Sequence, residues 1–234
     1  MCGLQHRSRR RDPGHTLHVA DDVDFLGHRL TTVEERLRTL AREVPGFLAE
    51  SEGLALYQAA MAAGRQGPLL EVGTYCGKSA VYLGAAARQA DSVLFTTDHH
   101  HGSEEHQPGQ EYHDPELVDA QGNFDTLPCF RRTIAAAGLE DRVIGLVGDS
   151  VLVSTWWRTP LAFVFLDGGH SHERALLDYS GYTRHLQPGG VLAIHDVFAD
   201  PACGGRPPFE VYQLALAQDF VELAAEGSLR LLRR

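Results

Sequence analysis

No apolar run in the chain approaches the ~18 residues of a membrane span, and the N-terminus lacks the apolar stretch of a signal peptide. Cysteine is sparse: Cys2, Cys76, Cys129 and Cys203 are scattered without CxxC spacing. That excludes a disulfide framework or a zinc-finger site and makes a reducing cytoplasm the expected compartment. Positive charge is short as well, with a net charge of −10 and a pI near 5.7. A nucleic-acid binder needs a basic face, so nucleic acid is excluded as a partner. The one dense basic run, Arg7, Arg9, Arg10 and Arg11, reads as part of a solvated tail over residues 1–28. Internal repeats and low-complexity blocks are missing too.

What remains is an ordinary globular composition, 43% hydrophobic and 22% charged, in 234 residues, enough for one sizeable core. Thr32-Val33-Glu34-Glu35 fits a capping box, followed by Val33, Leu37 and Leu40 at helical spacing and a stop at Pro45-Gly46. A second helix is expected from near Ser51 to Gly64, which makes residues 29–66 a helical cap. From Pro68 the rhythm changes. Short apolar strands at 69–72, 93–97, 143–147, 163–166 and 191–194 alternate with helices at 78–90, 126–137, 171–185 and 207–218. Such strands belong to a parallel sheet covered on both faces, a doubly wound Rossmann-like α/β fold over residues 67–234. The last two apolar runs, around Phe220 to Leu223 and Ser228 to Leu232, read as an antiparallel hairpin that closes the sheet. Residues 98–123 break the alternation as a polar loop long enough to be a lid over the ligand edge.

The turn Glu71-Val72-Gly73-Thr74-Tyr75-Cys76-Gly77-Lys78-Ser79 carries the first chemical signal. Its end imitates a P-loop, and Phe163 to Asp167 imitates a Walker B strand. A P-loop needs four residues between its first glycine and Gly-Lys, and this turn has three, so a nucleotide-binding phosphotransferase is the weaker reading. In the stronger one, Gly73 allows a tight turn, Gly77 lets a ligand approach the backbone, and Glu71 suits the ammonium of a methionine moiety flanked by Tyr75. Ser79 opens the following helix within the same site. Asp98 ends the second strand, where an acid holds ribose hydroxyls. Asp149, with Ser150, ends the third, where it either reaches an adenine amine or simply caps a helix. Asp167 ends the fourth. Four acids after four successive strands form one edge.

Together with Phe165-Leu166-Asp167-Gly168-Gly169-His170 and Gly189-Gly190-Val191-Leu192-Ala193-Ile194-His195-Asp196, these motifs resemble the class I S-adenosylmethionine-dependent methyltransferases. The resemblance covers residues 68–234 and points to the bacterial small-molecule O-methyltransferase branch, similar to catechol-type, macrocin-type and cephalosporin-hydroxylase-type enzymes. It implies a seven-stranded sheet with an antiparallel last strand, S-adenosyl-L-methionine as cofactor, and a small-molecule hydroxyl as acceptor. It further implies Asp167, His195 and Asp196 as ligands of a divalent metal. His195 stands where those families usually place an acid or amide, which moves the preference from Mg²⁺ toward Mn²⁺, Fe²⁺ or Zn²⁺. His170, three residues after Asp167, falls at the position of a base that takes the acceptor's proton.

The lid adds His99, His100, His101, His106 and His113. His99 is expected beside the cofactor and His100 as a substrate-binding or base-assisting residue, since both adjoin Asp98. A member of the fold that binds the same cofactor but catalyses another reaction stays as an alternative. The N-terminal helices are candidate elements of a homodimer.

Overall fold

The computed structural model describes residues 34–110, 112–169, 171–200 and 204–234. The expected tail at 1–28, Thr32 and Val33 of the expected capping box, and His170 lie outside these residues. Seven α-helices are described: α1 (Glu35–Glu43), α2 (Glu50–Gly64), α3 (Lys78–Gln89), α4 (Leu127–Ala137), α5 (Ser150–Trp156), α6 (His172–Thr183) and α7 (Arg206–Ala217). The strands are β1 (Leu69–Val72), β2 (Leu94–Asp98), β3 (Val143–Val147), β4 (Leu161–Leu166), β5 (Leu186–Ile194), β6 (Val221–Glu226) and β7 (Leu229–Arg233).

They form one seven-stranded sheet in the order β3-β2-β1-β4-β5-β7-β6. The first five pair in parallel, and β7 runs antiparallel to both β5 and β6. The alternation of side chains along each strand divides the core into two layers. Leu69, Phe163, Phe165, Val191 and Ala193 pack with α2 and α3. Leu70, Val72, Val164, Leu166, Leu192 and Ile194 pack with α6 and α7. Both faces are therefore covered, as near-continuous apolar strands require.

The structure departs from the sequence reading in three places. Helix α1 starts at Glu35 with Glu34 at its N-cap, and no side chain caps it. The seven-residue α5 was not anticipated; it is too short to show an apolar period. Strand β5 begins at Leu186, five residues earlier than expected, so Gly189-Gly190 lie inside the strand. Gly189 sits at φ +79, and the pairing of β4 with β5 shifts register there, between Leu161 and Phe163. A bulge needs such a glycine, and the sequence signal for a turn and for a bulge is the same.

Helix α2 is held against α3 by close approach. A Cβ on Gly53 would lie 2.4 Å from the ring of Tyr82, itself 2% exposed. Gly53→Ala gains about 1 kcal/mol of helix propensity and loses about 1–3 kcal/mol to overpacking. The expected outcome in urea unfolding is a net loss of up to about 2 kcal/mol; a variant more stable than the parent would mean that Tyr82 repacks freely.

Candidate active site

The carboxyl ends of β1, β2, β4 and β5 converge, and the ladder itself brings the key residues side by side. Leu166 pairs with Ile194, so the residues that follow, Asp167 and His195, emerge as neighbours, and the His195 N–H donates to the Leu166 carbonyl at 3.1 Å. The Asp167 N–H donates to the carbonyl of Val72, at the foot of the glycine turn. A Cβ on Gly73 would meet the Asp167 carbonyl oxygen at 2.1 Å, and Gly73 has φ +91, so only glycine fits where the turn crosses β4.

His195 is 4% exposed and both ring nitrogens face carboxylates. Nδ1 lies 2.9 Å from Asp167 Oδ1 and 3.6 Å from Asp196 Oδ1, while Nε2 lies 3.1 Å from Glu52 Oε2. Burial opposes a charge on this imidazole, but the charge of Asp167 and the hydrogen bonds to Asp167 and Glu52 outweigh it, and its pKa is raised. One ligand atom each from Asp167, His195 and Asp196 falls within 4.8 Å of the others, the expected metal set brought together. Asp196 adopts φ +56, a strained conformation for a side chain other than glycine, of the kind that collects at functional sites.

Glu71 is fully buried. Its Oε2 accepts from Thr96 Oγ1 at 2.5 Å, the Ser79 hydroxyl also bonds it, and its Oε1 has no partner. Burial pushes its pKa up to about 8, and Asp167 and Asp98 add repulsion. Ser79 thus serves Glu71. Asp98 is drawn into the turn: Oδ2 accepts the N–H groups of Thr74 and Tyr75, both at 2.9 Å, and Oδ1 accepts that of His100 at 2.7 Å. Asp149 is the N-cap of α5, accepting from the Leu152 N–H, and its other oxygen meets Arg174 at 2.7 Å. The cap thus takes Oδ1 and the ion pair Oδ2. Ser150 donates to the buried Asp178 at 2.6 Å.

In the lid, His100 is buried with Nδ1 2.8 Å from Thr126 Oγ1 and its ring against Phe130; these contacts anchor the loop at φ +63. His99 accepts from the His101 N–H and stacks on the His101 ring. Tyr75 leaves the turn at φ +48 and meets the rings of Phe47, His106 and Phe124, so the α1–α2 connection, the turn and the lid share one aromatic wall.

The P-loop reading fails on two observations. Lys78, the only lysine in the chain, donates from Nζ to the Gly46 carbonyl at 2.9 Å and ties α3 to the α1–α2 connection. The edge itself is walled by Asp98 and Asp167, whose charge opposes a polyphosphate. Sequence reasoning also missed Glu52. It is 5% exposed and its Oε1 accepts both the N–H and the hydroxyl of Ser228. An acid in the first turn of a helix reads as a partner of the helix dipole, so nothing in the sequence marked it.

The sheet order, the reversed β7 and the glycine turn after β1 are those of the class I S-adenosylmethionine-dependent methyltransferase fold. Residues 70–197, more than half of the chain, match the family described as Methyltransferase domain, and the chain belongs to that family. Solved structures bear out the fold. An O-methyltransferase from Bacillus cereus, in complex with SAH, shares 18% identity at a TM-score of 0.58, over 88% of this chain and 93% of that one. The O-methyltransferase NovP shares 16% at 0.62, over 86% and 88%. TomG from Streptomyces achromogenes, involved in tomaymycin synthesis and in complex with SAM, shares 17% at 0.59, over 87% and 91%. Among the described residues no helix is long and apolar enough to cross a membrane.

Asp98→Ala separates a structural from a ligand-only role. It leaves three backbone N–H groups without their acceptor, and we expect a loss of about 2–4 kcal/mol in urea unfolding with no cofactor present. Unchanged stability of the cofactor-free protein would mean that these three bonds hold nothing.

Proposed function

We propose that the chain is an S-adenosylmethionine-dependent O-methyltransferase of a small hydroxylated acceptor. The observation that carries this is one sheet edge that holds both the glycine turn of β1 and, after the next two strands β4 and β5, the Asp167, His195 and Asp196 cluster. The turn offers a buried carboxyl, Glu71, with one oxygen unpartnered, which suits the cofactor's ammonium group. Ionised by an incoming ammonium, it is wrong for phosphate and right for a cationic cofactor. The three relatives, all named as O-methyltransferases and two with SAM or SAH bound, agree.

Two carboxylates and one imidazole fit a divalent ion, and the nitrogen donor favours Mn²⁺, Fe²⁺ or Zn²⁺ over Mg²⁺. Bound there, the ion would lower the pKa of an acceptor hydroxyl held at the same edge. The protein's own contribution is alignment, because methyl transfer needs the acceptor oxygen opposite the sulfur more than it needs strong acid–base chemistry. As the new C–O bond forms, the C–S bond breaks and sulfur keeps its electron pair. The acceptor's proton passes to a base, a role we give to His170 from its place three residues after Asp167. The aromatic wall of Phe47, Tyr75 and Phe124 borders the turn and encloses the acceptor's approach. A cytoplasmic location and a homodimer through the N-terminal helices belong to the same reading, and nucleic acid is not a partner.

Thermal-shift titration of metal-stripped protein with S-adenosylmethionine, with ATP in parallel, tests the cofactor. Near a hundredfold over Kd the sulfonium should add ~2.7 kcal/mol, a rise of a few degrees; a shift with ATP alone would overturn the reading. Asp167→Ala should abolish turnover and leave cofactor affinity within about threefold; persistent turnover would remove Asp167 from the reacting centre.

Glu71 makes a further expectation. Its folded pKa, about 8, lies above the ordinary carboxyl value. The neutral form therefore stabilises the fold fully below the ordinary value, and this contribution fades as pH rises toward 8. At pH 7 the free protein holds a proton on Glu71 that an incoming ammonium displaces. Calorimetry in buffers of different ionisation enthalpy should show proton release on cofactor binding, absent in Glu71→Gln; equal enthalpies across buffers would separate Glu71 from the ammonium.

A further inference from the structure

We propose that Glu52, from α2, is the positioning residue of the metal centre. It anchors the Nε2–H of His195, so that Nδ1, which donates to Asp167 in the free protein, is the nitrogen that would exchange its proton for the ion. The inference rests on the metal reading above and extends it to a residue far away in sequence.

The geometry that carries it is a buried column. Glu52 Oε2 stands 3.1 Å from His195 Nε2, and on the far side of the ring Nδ1 stands 2.9 Å from Asp167 Oδ1. Glu52 is itself immobilised. The Ala49 N–H donates to Oε2 at 3.0 Å, and the Ser228 N–H and hydroxyl donate to Oε1 at 2.7 and 2.9 Å. Three elements thus meet on one carboxylate: the start of α2, the tip of the β6–β7 hairpin, and the residue after β5. The hairpin closes the loop, since the Val197 N–H donates to the Ser228 carbonyl at 2.9 Å, one residue past Asp196. The approach leaves no slack, because a Cβ on Gly227 would lie 2.5 Å from Glu52 Oε1.

An imidazole that binds a metal through one nitrogen is oriented by a hydrogen bond from the other, and a carboxylate is a preferred acceptor. Here the carboxylate occupies Nε2, which leaves Nδ1 as the only ring atom able to face the two aspartates. The same anchored ring explains how a histidine can serve at a position where an acid would need no such support.

The test uses the full chain. By calorimetry, Glu52→Ala should bind Mn²⁺ about 10–100-fold more weakly than the parent, with S-adenosylmethionine affinity unchanged; a folded variant with parental Mn²⁺ affinity overturns the proposal. A second measurement on the unaltered protein guards against a variant that fails to fold. With Zn²⁺ bound, the ¹⁵N spectrum of His195 should show a protonated Nε2 and a metal-shifted Nδ1. Both nitrogens protonated with Zn²⁺ in place would leave a two-carboxylate metal site and refute the role of Glu52. If neither Mn²⁺ nor Zn²⁺ binds the parent protein, the metal reading itself falls, and this role with it.

Discussion

A carboxylate buried inside a protein stays ionised only if it is paired and fully hydrogen-bonded. Glu52 meets that condition through His195 and three donors from Ala49 and Ser228, and His195 in turn is held between Glu52 and Asp167. Burial works against the charge of Glu52, yet these partners keep its pKa well below the usual carboxylate range. The constraint is mutual. Remove the imidazole and a buried acid is left uncompensated; remove the acid and the imidazole can turn. Because the partners lie on α2, β5, β4 and the β6–β7 hairpin, the docking of the N-terminal helices and the shape of the reacting centre depend on one set of contacts.

The same edge shows why an acidic wall can be a binding site. Asp98 and Asp167 would repel a polyphosphate, whereas a sulfonium cofactor brings a sulfur cation and an ammonium. The protein prepares for it unevenly. Asp98 spends its oxygens on the backbone of the turn and fixes its shape. Glu71 keeps one oxygen unpartnered in the core, a state that makes sense for a group awaiting a donor. The lid and the turn meet through rings instead of charges, so the region over the turn is apolar where the floor is acidic.

Much of this was legible in the sequence, for definite reasons. Strand ends carry their acids at fixed places, so Asp167 and His195-Asp196 could be put on neighbouring strands, and the ladder from Leu166 to Ile194 brings them together. The apolar strands and the closing hairpin also followed from pattern. What was not legible depended on tertiary contact. Lys78 imitates a P-loop lysine in sequence, and only its bond to Gly46 shows it to be a tether. Asp149 offered two roles, and the bond to the Leu152 N–H that makes it a cap appears only in the fold. Helix α5 is too short to carry a period, and Gly189-Gly190 mark a bulge with the residues that elsewhere mark a turn. Glu52 sits 143 residues from its partner His195, a separation that no local pattern bridges.

The most direct test of the account is anomalous diffraction at the manganese edge, from crystals grown with Mn²⁺ and S-adenosylhomocysteine. The account predicts a single strong peak within about 2–2.4 Å of Asp167, Asp196 and His195 Nδ1. Glu52 should remain on Nε2, and the nucleoside should lie over the turn from Gly73 to Gly77. A peak elsewhere, or an imidazole still bonded to Asp167 with the nucleoside bound and no metal beside it, would contradict it.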